Sequence, residues 1–210
     1  MLKDNPASLT LGVRIKFSRK RTLTTDIQSR FDRLRSSEES RLFIPEPCLP
    51  TGDVQRWEKQ RGVQLPEEYR LFLLEWGNGG NIPCEQPGAY CDLTILPLAQ
   101  IRAGSQLKAE FPISQALCAE RMARLKVEGW ANRDTLFPEL EPLWEQGSLP
   151  GCLDFCQYPG GDGAFLVLNG ELRGTVWCTV CCGVPESWKD DEPSGFFAWF
   201  EDMLSEAKSW

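Results

Sequence analysis

The order of helix-like and strand-like segments is the feature that most constrains the fold of this chain. Residues 65–80, LPEEYRLFLLEWGNGG, carry apolar side chains at i, i+3, i+4 and i+7, which is typical of a helix with one buried face. The last third alternates short β-prone runs with turn signals such as Asn169-Gly170, and residues 194–207 return to a helical period. This order predicts an α+β fold with an antiparallel or mixed sheet flanked by helices.

Residues that start and stop helices support this prediction. Pro66 suits the first turn of a helix, and we expect Asp53, Ser114 and Ser194 to cap three others. Residues 78–80, Asn-Gly-Gly, predict a tight turn after a helix. Because a helix C-terminus is the negative end of the dipole, we interpret these glycines as a cap and not as a phosphate site.

We expect a single domain with an N-terminal elaboration. Residues 1–46 predict a basic extension, in which a strand over residues 9–17 precedes a short helix near Thr25, whose spacing to Gln28 is that of a capping box. Residues 47–210 predict the main domain, with a helical and Pro-rich insertion around residues 102–150.

The absence of histidine restricts the chemistry available to the protein. With no His among 210 residues, Ser-His-Asp and Cys-His catalysis and His metal ligation are all excluded. Carboxylate catalysis, or catalysis with a Lys or Tyr base, remains open on this criterion. We expect neither a catalytic site nor a cofactor.

Charge is unevenly distributed along the chain. Residues 1–41 hold ten Lys/Arg and five Asp/Glu, a balance of +5, whereas residues 42–210 hold 13 and 25, a balance of -12. An acidic main body disfavours direct contact with nucleic acid and favours basic protein partners. The basic N-terminal charges are interpreted as the solvated face of a strand or helix.

Composition indicates a cytoplasmic protein. No stretch approaches the ~18 apolar residues of a membrane span. Charged residues interrupt the apolar run in residues 9–17, so we expect no signal-peptide core there. Nine Cys, an odd number, favour reduced thiols over a disulfide framework. We expect no membrane partner, and the sequence leaves the oligomeric state open.

The order of three motifs resembles the SUKH superfamily over residues 47–206. The motifs are a helix opening L-P-x-[DE]-[YF] and closing in N-G-G, a hairpin region with a G-D turn and a later G-x-V-[WY], and a C-terminal helix with a serine-aromatic start. The matching residues are Leu65-Pro66-Glu67-Glu68-Tyr69 with Asn78-Gly79-Gly80, Gly161-Asp162 with Gly174-Thr175-Val176-Trp177, and Ser194 to Phe200. The extra residue after Ser194 departs slightly from the pattern.

The resemblance implies a protein that acts by binding, with no family catalytic residues to transfer. Many bacterial members resemble immunity proteins that neutralise a cognate toxin, often a nuclease or another nucleic-acid-modifying enzyme. The expected partner is therefore a protein toxin, one that the acidic body predicts to be basic. The alternative is a SUKH-like adaptor or regulatory subunit in a larger assembly.

Four cysteines supply a rival interpretation as a small structural-zinc protein. Cys152 and Cys156, with Cys178 and Cys181 further along the chain, approach a four-thiolate spacing. Residues 178–181 are predicted to form a strand, on which positions i and i+3 face opposite sides. Buried small thiols are therefore the favoured interpretation.

Two acidic segments that contain an aromatic residue are candidate partner-binding sites. One is residues 188–192, with Trp188, and the other is residues 85–92, with Tyr90. An exposed aromatic residue among carboxylates suits an interface hot spot that attracts a basic partner, although Trp188 could instead fold back over the sheet edge. Asp162, in the turn of the second motif, is a further candidate. The full set of candidates is Trp188, Asp190, Asp191, Glu192, Glu85, Tyr90, Asp92 and Asp162.

Overall fold

The structure is a computed structural model that describes most of the chain. The described residues are 15–83, 92–101, 106–128, 136–145, 149–159, 161–178, 184–185, 188–189 and 192–209. For residues 15–25, 128, 144–145, 184–185, 188–189, 192 and 209 the description covers the backbone alone.

Within the described residues, seven strands form one antiparallel sheet, in which the order along the chain is also the order in space. The strands are β1 (Ile44–Pro45), β2 (Gly80–Ile82), β3 (Leu93–Ile95), β4 (Cys152–Gln157), β5 (Gly163–Val167), β6 (Val176–Cys178) and β7 (Val184–Pro185). A separate hairpin pairs β8 (Trp188–Lys189) with β9 (Glu192–Pro193). The α+β prediction is confirmed, with an antiparallel sheet.

Strand β5 is buried along its whole length because both faces of the sheet are covered. Side chains alternate between the two faces of a strand. Ala164 and Leu166 pack in one hydrophobic cluster, and Phe165 and Val167 pack in a second. The fold is therefore three layers deep at this point, with helical segments on either side of the sheet.

In the part of the chain that the structure describes, four helices cover the first face. They are α1 (Ile15–Ser36), α2 (Thr51–Arg61), α3 (Glu67–Glu75) and α6 (Phe196–Ser209). The helical period predicted for α3 is confirmed, since Tyr69, Phe72 and Leu73 are fully buried. Trp76 meets Phe200 of α6 edge to face, with 5.0 Å between ring centroids. No helix in the described part of the chain is long and apolar enough to cross a membrane.

The segment between β3 and β4 covers the second face. It contains α4 (Gln115–Glu128) and α5 (Glu141–Glu145). Cys118, Met122 and Leu125 of α4 belong to the same cluster as Phe165 and Trp177 of the sheet. The predicted cap of α4 is confirmed, because the hydroxyl of Ser114 accepts a hydrogen bond from the Leu117 amide at 3.2 Å. The insertion is thus one of the three packed layers.

The N-terminal extension differs from its prediction. Residues 15–17, the end of the predicted strand, lie in the first turn of α1, and residues 9–14 fall outside the described residues. The helix begins ten residues before Thr25, at Ile15. Once a helical segment is anchored by packing, each further residue adds a hydrogen bond at little cost, so the helix can extend upstream through a run that alternates locally.

Helix α1 is anchored to the core by aromatic contacts. Phe31 and Leu34 are buried in the first cluster. The ring of Phe31 lies 5.7 Å from that of Trp76 and 5.6 Å from that of Phe197. The second half of the predicted extension therefore packs against α3 and α6.

Truncation of Phe31 tests this anchoring. We expect Phe31→Ala to lower the free energy of unfolding by about 3–5 kcal/mol, because it leaves a cavity between α1, α3 and α6. Urea unfolding followed by tryptophan fluorescence measures the change. Arg33→Ala, at an exposed position on the same helix, should stay within about 0.5 kcal/mol of the unmodified protein. Equal effects of the two substitutions would contradict the docked position of α1.

Candidate functional site

A groove of about 810 Å³ lies where α1, the start of α3, the turn before β6 and the entry to α6 meet. We call it the motif groove. Its lining residues are Ile27, residues 64–68, Arg70, residues 173–175, Pro193 and Gly195. The fold thus brings together part of each of the three sequence motifs. The first and third motifs are joined by a hydrogen bond between Glu68 and Phe197, which are 129 positions apart.

The carboxylate of Glu68 joins α3 to the N-terminus of α6. Its Oε2 accepts a hydrogen bond from the Phe197 amide at 2.8 Å. The predicted cap by Ser194 is wrong, because the buried Ser194 hydroxyl has no hydrogen-bond partner among the described residues. A Cβ at Gly195 would stand 2.8 Å from the same carboxylate oxygen. The extra residue after Ser194 therefore leaves the space that Glu68 occupies.

The predicted cap by Asp53 is also wrong. Helix α2 begins at Thr51 with Pro50 at its N-cap position. The carboxylate of Asp53 lies within the first turn and pairs with Arg56 at 2.8 Å. A carboxylate in the first turn still faces the positive end of the helix dipole, so the residue type suits the helix although its position was misplaced.

Burial is the main influence on the pKa of the Glu68 carboxyl. Loss of solvent raises the pKa of Glu68, and the nearby charge of Asp26 raises it further. The Phe197 amide and the guanidinium of Arg30, at 3.7 Å, act in the opposite direction. Since burial wins, the ionised carboxylate is held at a cost in free energy at neutral pH.

The arginines of the motif groove are engaged by the chain itself. Arg70 contacts both carboxylate oxygens of Glu58, at 3.2 and 3.0 Å. Glu58 also accepts a hydrogen bond from the Leu65 amide at 3.0 Å. Arg173 donates to the carbonyl oxygens of Leu65, at 2.9 Å, and of Leu168. These bonds hold the turn before α3 against the sheet, and they engage Arg70 through Nη1 and Arg173 through both Nη atoms.

An adjoining depression of about 640 Å³ shares Gln64 and Arg173 with the motif groove.

Glu67, at the start of α3, is exposed in the motif groove. The Glu67 carboxylate is therefore available to a ligand, whereas Glu58 and Glu68 make hydrogen bonds within the protein.

The candidate hairpin adjoins the motif groove. Trp188 pairs with Pro193, and Lys189 pairs with Glu192. Pro193 lines the groove, and Gly195 bridges to Thr175 beside it. Asp190 and Asp191 fall outside the described residues, as do the side chains of Trp188 and Glu192. The backbone of β9 lies beside the groove, and the role of the acidic segment in binding stays a prediction.

Two other candidates lie at the far end of the sheet. Thr94 pairs with Gln157, and Gln157 pairs with Gly163. Asp92 directly precedes β3 and Asp162 directly precedes β5, so both lie at the end of the sheet where β3 and β5 begin. Thr175 and the motif groove lie at the opposite end, where β6 begins. Glu85 and Tyr90 fall outside the described residues.

The cysteines proposed as a rival zinc set are divided between the two hydrophobic clusters. Cys152 pairs with Val167 and Cys156 with Ala164, and a β-bulge between Asp154 and Cys156 shifts the register. Cys152 and Cys178 belong to the second cluster, and Cys156 to the first. Cys181 falls outside the described residues, within which no group of three or more potential ligands surrounds a metal position.

Burial also lowers the reactivity of two described thiols. It raises the pKa of Cys118 to about 12. The pKa of Cys152 is raised by burial and then by the charge of Asp154. Thiolates, and not thiols, act as nucleophiles and metal ligands. Both groups are therefore protonated at neutral pH and serve as packing side chains.

Asp154 was missed in the sequence analysis. It pairs with Phe165, whose side chain belongs to the second cluster, and burial raises its pKa to about 6. A carboxylate between the apolar Leu153 and Phe155 on a strand was the available signal, since alternation would send it to the opposite face.

Comparison with known proteins places most of the chain in one family pattern. The model of the SMI1/KNR4 family (SUKH-1) matches residues 49–206 of the 210. A comparison with curated proteins and another with solved structures found no match. The matched region includes every lining residue of the motif groove except Ile27, which belongs to α1.

Two substitutions at Glu68 separate its hydrogen bond from its charge. Glu68→Ala removes the acceptor for the Phe197 amide and should cost about 1–2 kcal/mol of unfolding free energy at pH 7. Glu68→Gln keeps an acceptor and removes a charge that burial disfavours, so its stability should equal or exceed that of the unmodified protein. Chemical denaturation gives both values, and Glu67→Ala is the exposed control. A loss in Glu68→Gln as large as in Glu68→Ala would contradict this account.

The raised pKa of Asp154 predicts that the free energy of unfolding depends on pH. Because the carboxyl titrates at 3.8 when unperturbed and at about 6 when folded, its ionisation destabilises the fold as the pH rises between those values. Asp154→Asn should therefore raise the unfolding free energy at pH 7.5 by about 1–3 kcal/mol, with no gain below pH ~3.5. Denaturation across this pH range tests it; a gain independent of pH would exclude titration as the cause.

Proposed function

Since the chain belongs to the SMI1/KNR4 family (SUKH-1), we propose that it is an immunity-type protein that neutralises a basic protein toxin by binding it. The observation that carries the proposal is that parts of three separated motifs converge on the motif groove. Burying a carboxylate to join two of them has a free-energy cost, which is more readily explained if the resulting concave surface is used.

The charge of the main body supports a basic partner. Residues 42–210 carry a balance of -12. Enzymes that act on nucleic acid present basic clefts to the phosphate backbone. An acidic protein is attracted to such a cleft over a long range, which raises the association rate, and it then blocks the substrate. We therefore propose a nuclease or another nucleic-acid-modifying toxin as the partner class.

The motif groove and the β8–β9 hairpin together form the proposed contact surface. Glu67 lies in the groove, and Asp190, Asp191 and Glu192 follow one another in the sequence between Lys189 and Pro193. Trp188 would supply the aromatic anchor that such interfaces commonly contain. The carboxylates would steer the partner, and the groove would receive part of its surface.

Binding without chemistry accounts for the residues that the protein has. The chain contains no His, and burial raises the pKa of the thiols of Cys118 and Cys152. The described cysteines are all free thiols, which suits the reducing conditions of the cytoplasm. We place the proposed activity in that compartment.

Co-expression tests the proposal. We expect the protein to protect cells from the toxic domain encoded beside its own gene. Reversing the hairpin charges with Asp190→Lys, Asp191→Lys and Glu192→Lys should slow association by about tenfold at low salt, and less at high salt, because steering is screened by ions. Colony survival and stopped-flow association measure the two effects.

A matched variant controls for total charge. Glu110→Lys, Glu120→Lys and Glu141→Lys change the net charge by the same amount at exposed positions in the layer on the other face of the sheet. This control should retain protection and fast association. Equal slowing in both variants would remove the hairpin from the interface. Absence of protection, together with stable co-purification of a non-toxic host protein, would replace the immunity function with that of an adaptor.

A further inference from the structure

Helix α1 contributes one wall of the motif groove although it lies outside the family match. The match begins at residue 49, and α1 ends at Ser36. Ile27 nevertheless lines the groove together with Pro66 and Gly174. The groove is therefore completed by a segment that the family pattern does not include.

The core fixes the position of this wall. Phe31, one turn after Ile27, contacts Trp76 of α3 and Phe197 of α6. Arg30 reaches Glu68 at 3.7 Å and Glu201 at 4.0 Å. Because aromatic packing and ion pairing both hold α1, Ile27 and its neighbours present a preformed surface to a ligand.

Exposed carboxylates outnumber the cations on this surface that lack a carboxylate partner within the described residues. Arg70 is paired with Glu58, and Arg30 lies by Glu68. Arg173 is exposed and donates to the carbonyl oxygens of Leu65 and Leu168, so it keeps its positive charge. Asp26 is exposed next to Ile27 and is close enough to influence the pKa of Glu68. Within the described part of the chain, neither Asp26 nor Glu67 forms an ion pair. A carboxylate thus stands on α1 and another on α3.

We propose that Ile27, with the exposed Asp26 next to it on α1, forms a specificity-determining wall of the motif groove, which receives an extended, positively charged segment of the partner protein. This inference rests on the proposed function, and it names the part of the site that the family pattern does not supply. The volume of about 810 Å³ lies in the range of ordinary ligand sites. The carboxylates of Asp26 and Glu67 complement arginine or lysine side chains of the partner, and Ile27 adds an apolar contact.

A nona-arginine peptide is the probe for this proposal, and its neutral isostere, nona-citrulline, is the control peptide. We expect nona-arginine, but not nona-citrulline, to shift the backbone amide NMR signals of Ile27, Glu67, Gly174 and Gly195. Asp26→Lys should weaken the binding of nona-arginine by about tenfold at low salt, since the substitution replaces an attraction with a repulsion. Asp32→Lys makes the same charge change at another exposed position of α1 and should weaken it by about twofold at most.

The outcomes separate this inference from the proposed function. Equal weakening by Asp26→Lys and Asp32→Lys, with shifts still centred on the groove, would overturn the role of α1 and leave the groove as a binding site. Shifts centred elsewhere, or no binding of nona-arginine, would overturn the inference and the proposed contact surface together. Protection from a toxin is measured independently and does not depend on either peptide.

Discussion

Burial of strand β5 on both faces is the constraint on which the rest of the structure depends. A strand with apolar side chains on both sides needs a packed layer above and below the sheet, and each large apolar side chain so buried contributes about 1.5–3 kcal/mol. The N- and C-terminal helices supply one layer, and the segment between β3 and β4 supplies the other. Without that segment, Phe165, Val167 and Trp177 would face water.

The contact between Glu68 and the start of α6 links this architecture to the candidate site. The carboxylate of Glu68 in α3 accepts a hydrogen bond from the amide of Phe197, 129 positions later, at the N-terminus of α6. Arg30 of α1 reaches the same carboxylate, so three helices meet at one charged group. The motif groove is the concave surface between them. Residues of the three motifs thus hold the frame of the groove, and Asp26 and Glu67 are exposed on two of the helices beside it.

Local sequence patterns predicted the elements whose packing follows a simple period. The buried faces of α3 and α6, the Ser114 cap and the sheet class were all correct. Errors arose where a distant group decides the outcome. Ser194 has the residue type of a cap, yet Glu68 reaches the helix end instead. The alternation over residues 9–17 resembled a strand, although residues 15–17 continue a helix that is anchored through Phe31.

The sequence by itself determined the chemistry available to this protein and the class of its fold. The lack of His and the acidic balance of residues 42–210 do not depend on conformation, and helical and strand periods are local properties. Only the tertiary structure decided which parts of the motifs meet, that Cys152 and Cys156 face different clusters, and that α1 forms a wall of the groove. Those relations depend on strand register, on one β-bulge and on contacts across more than a hundred residues, none of which a local pattern contains.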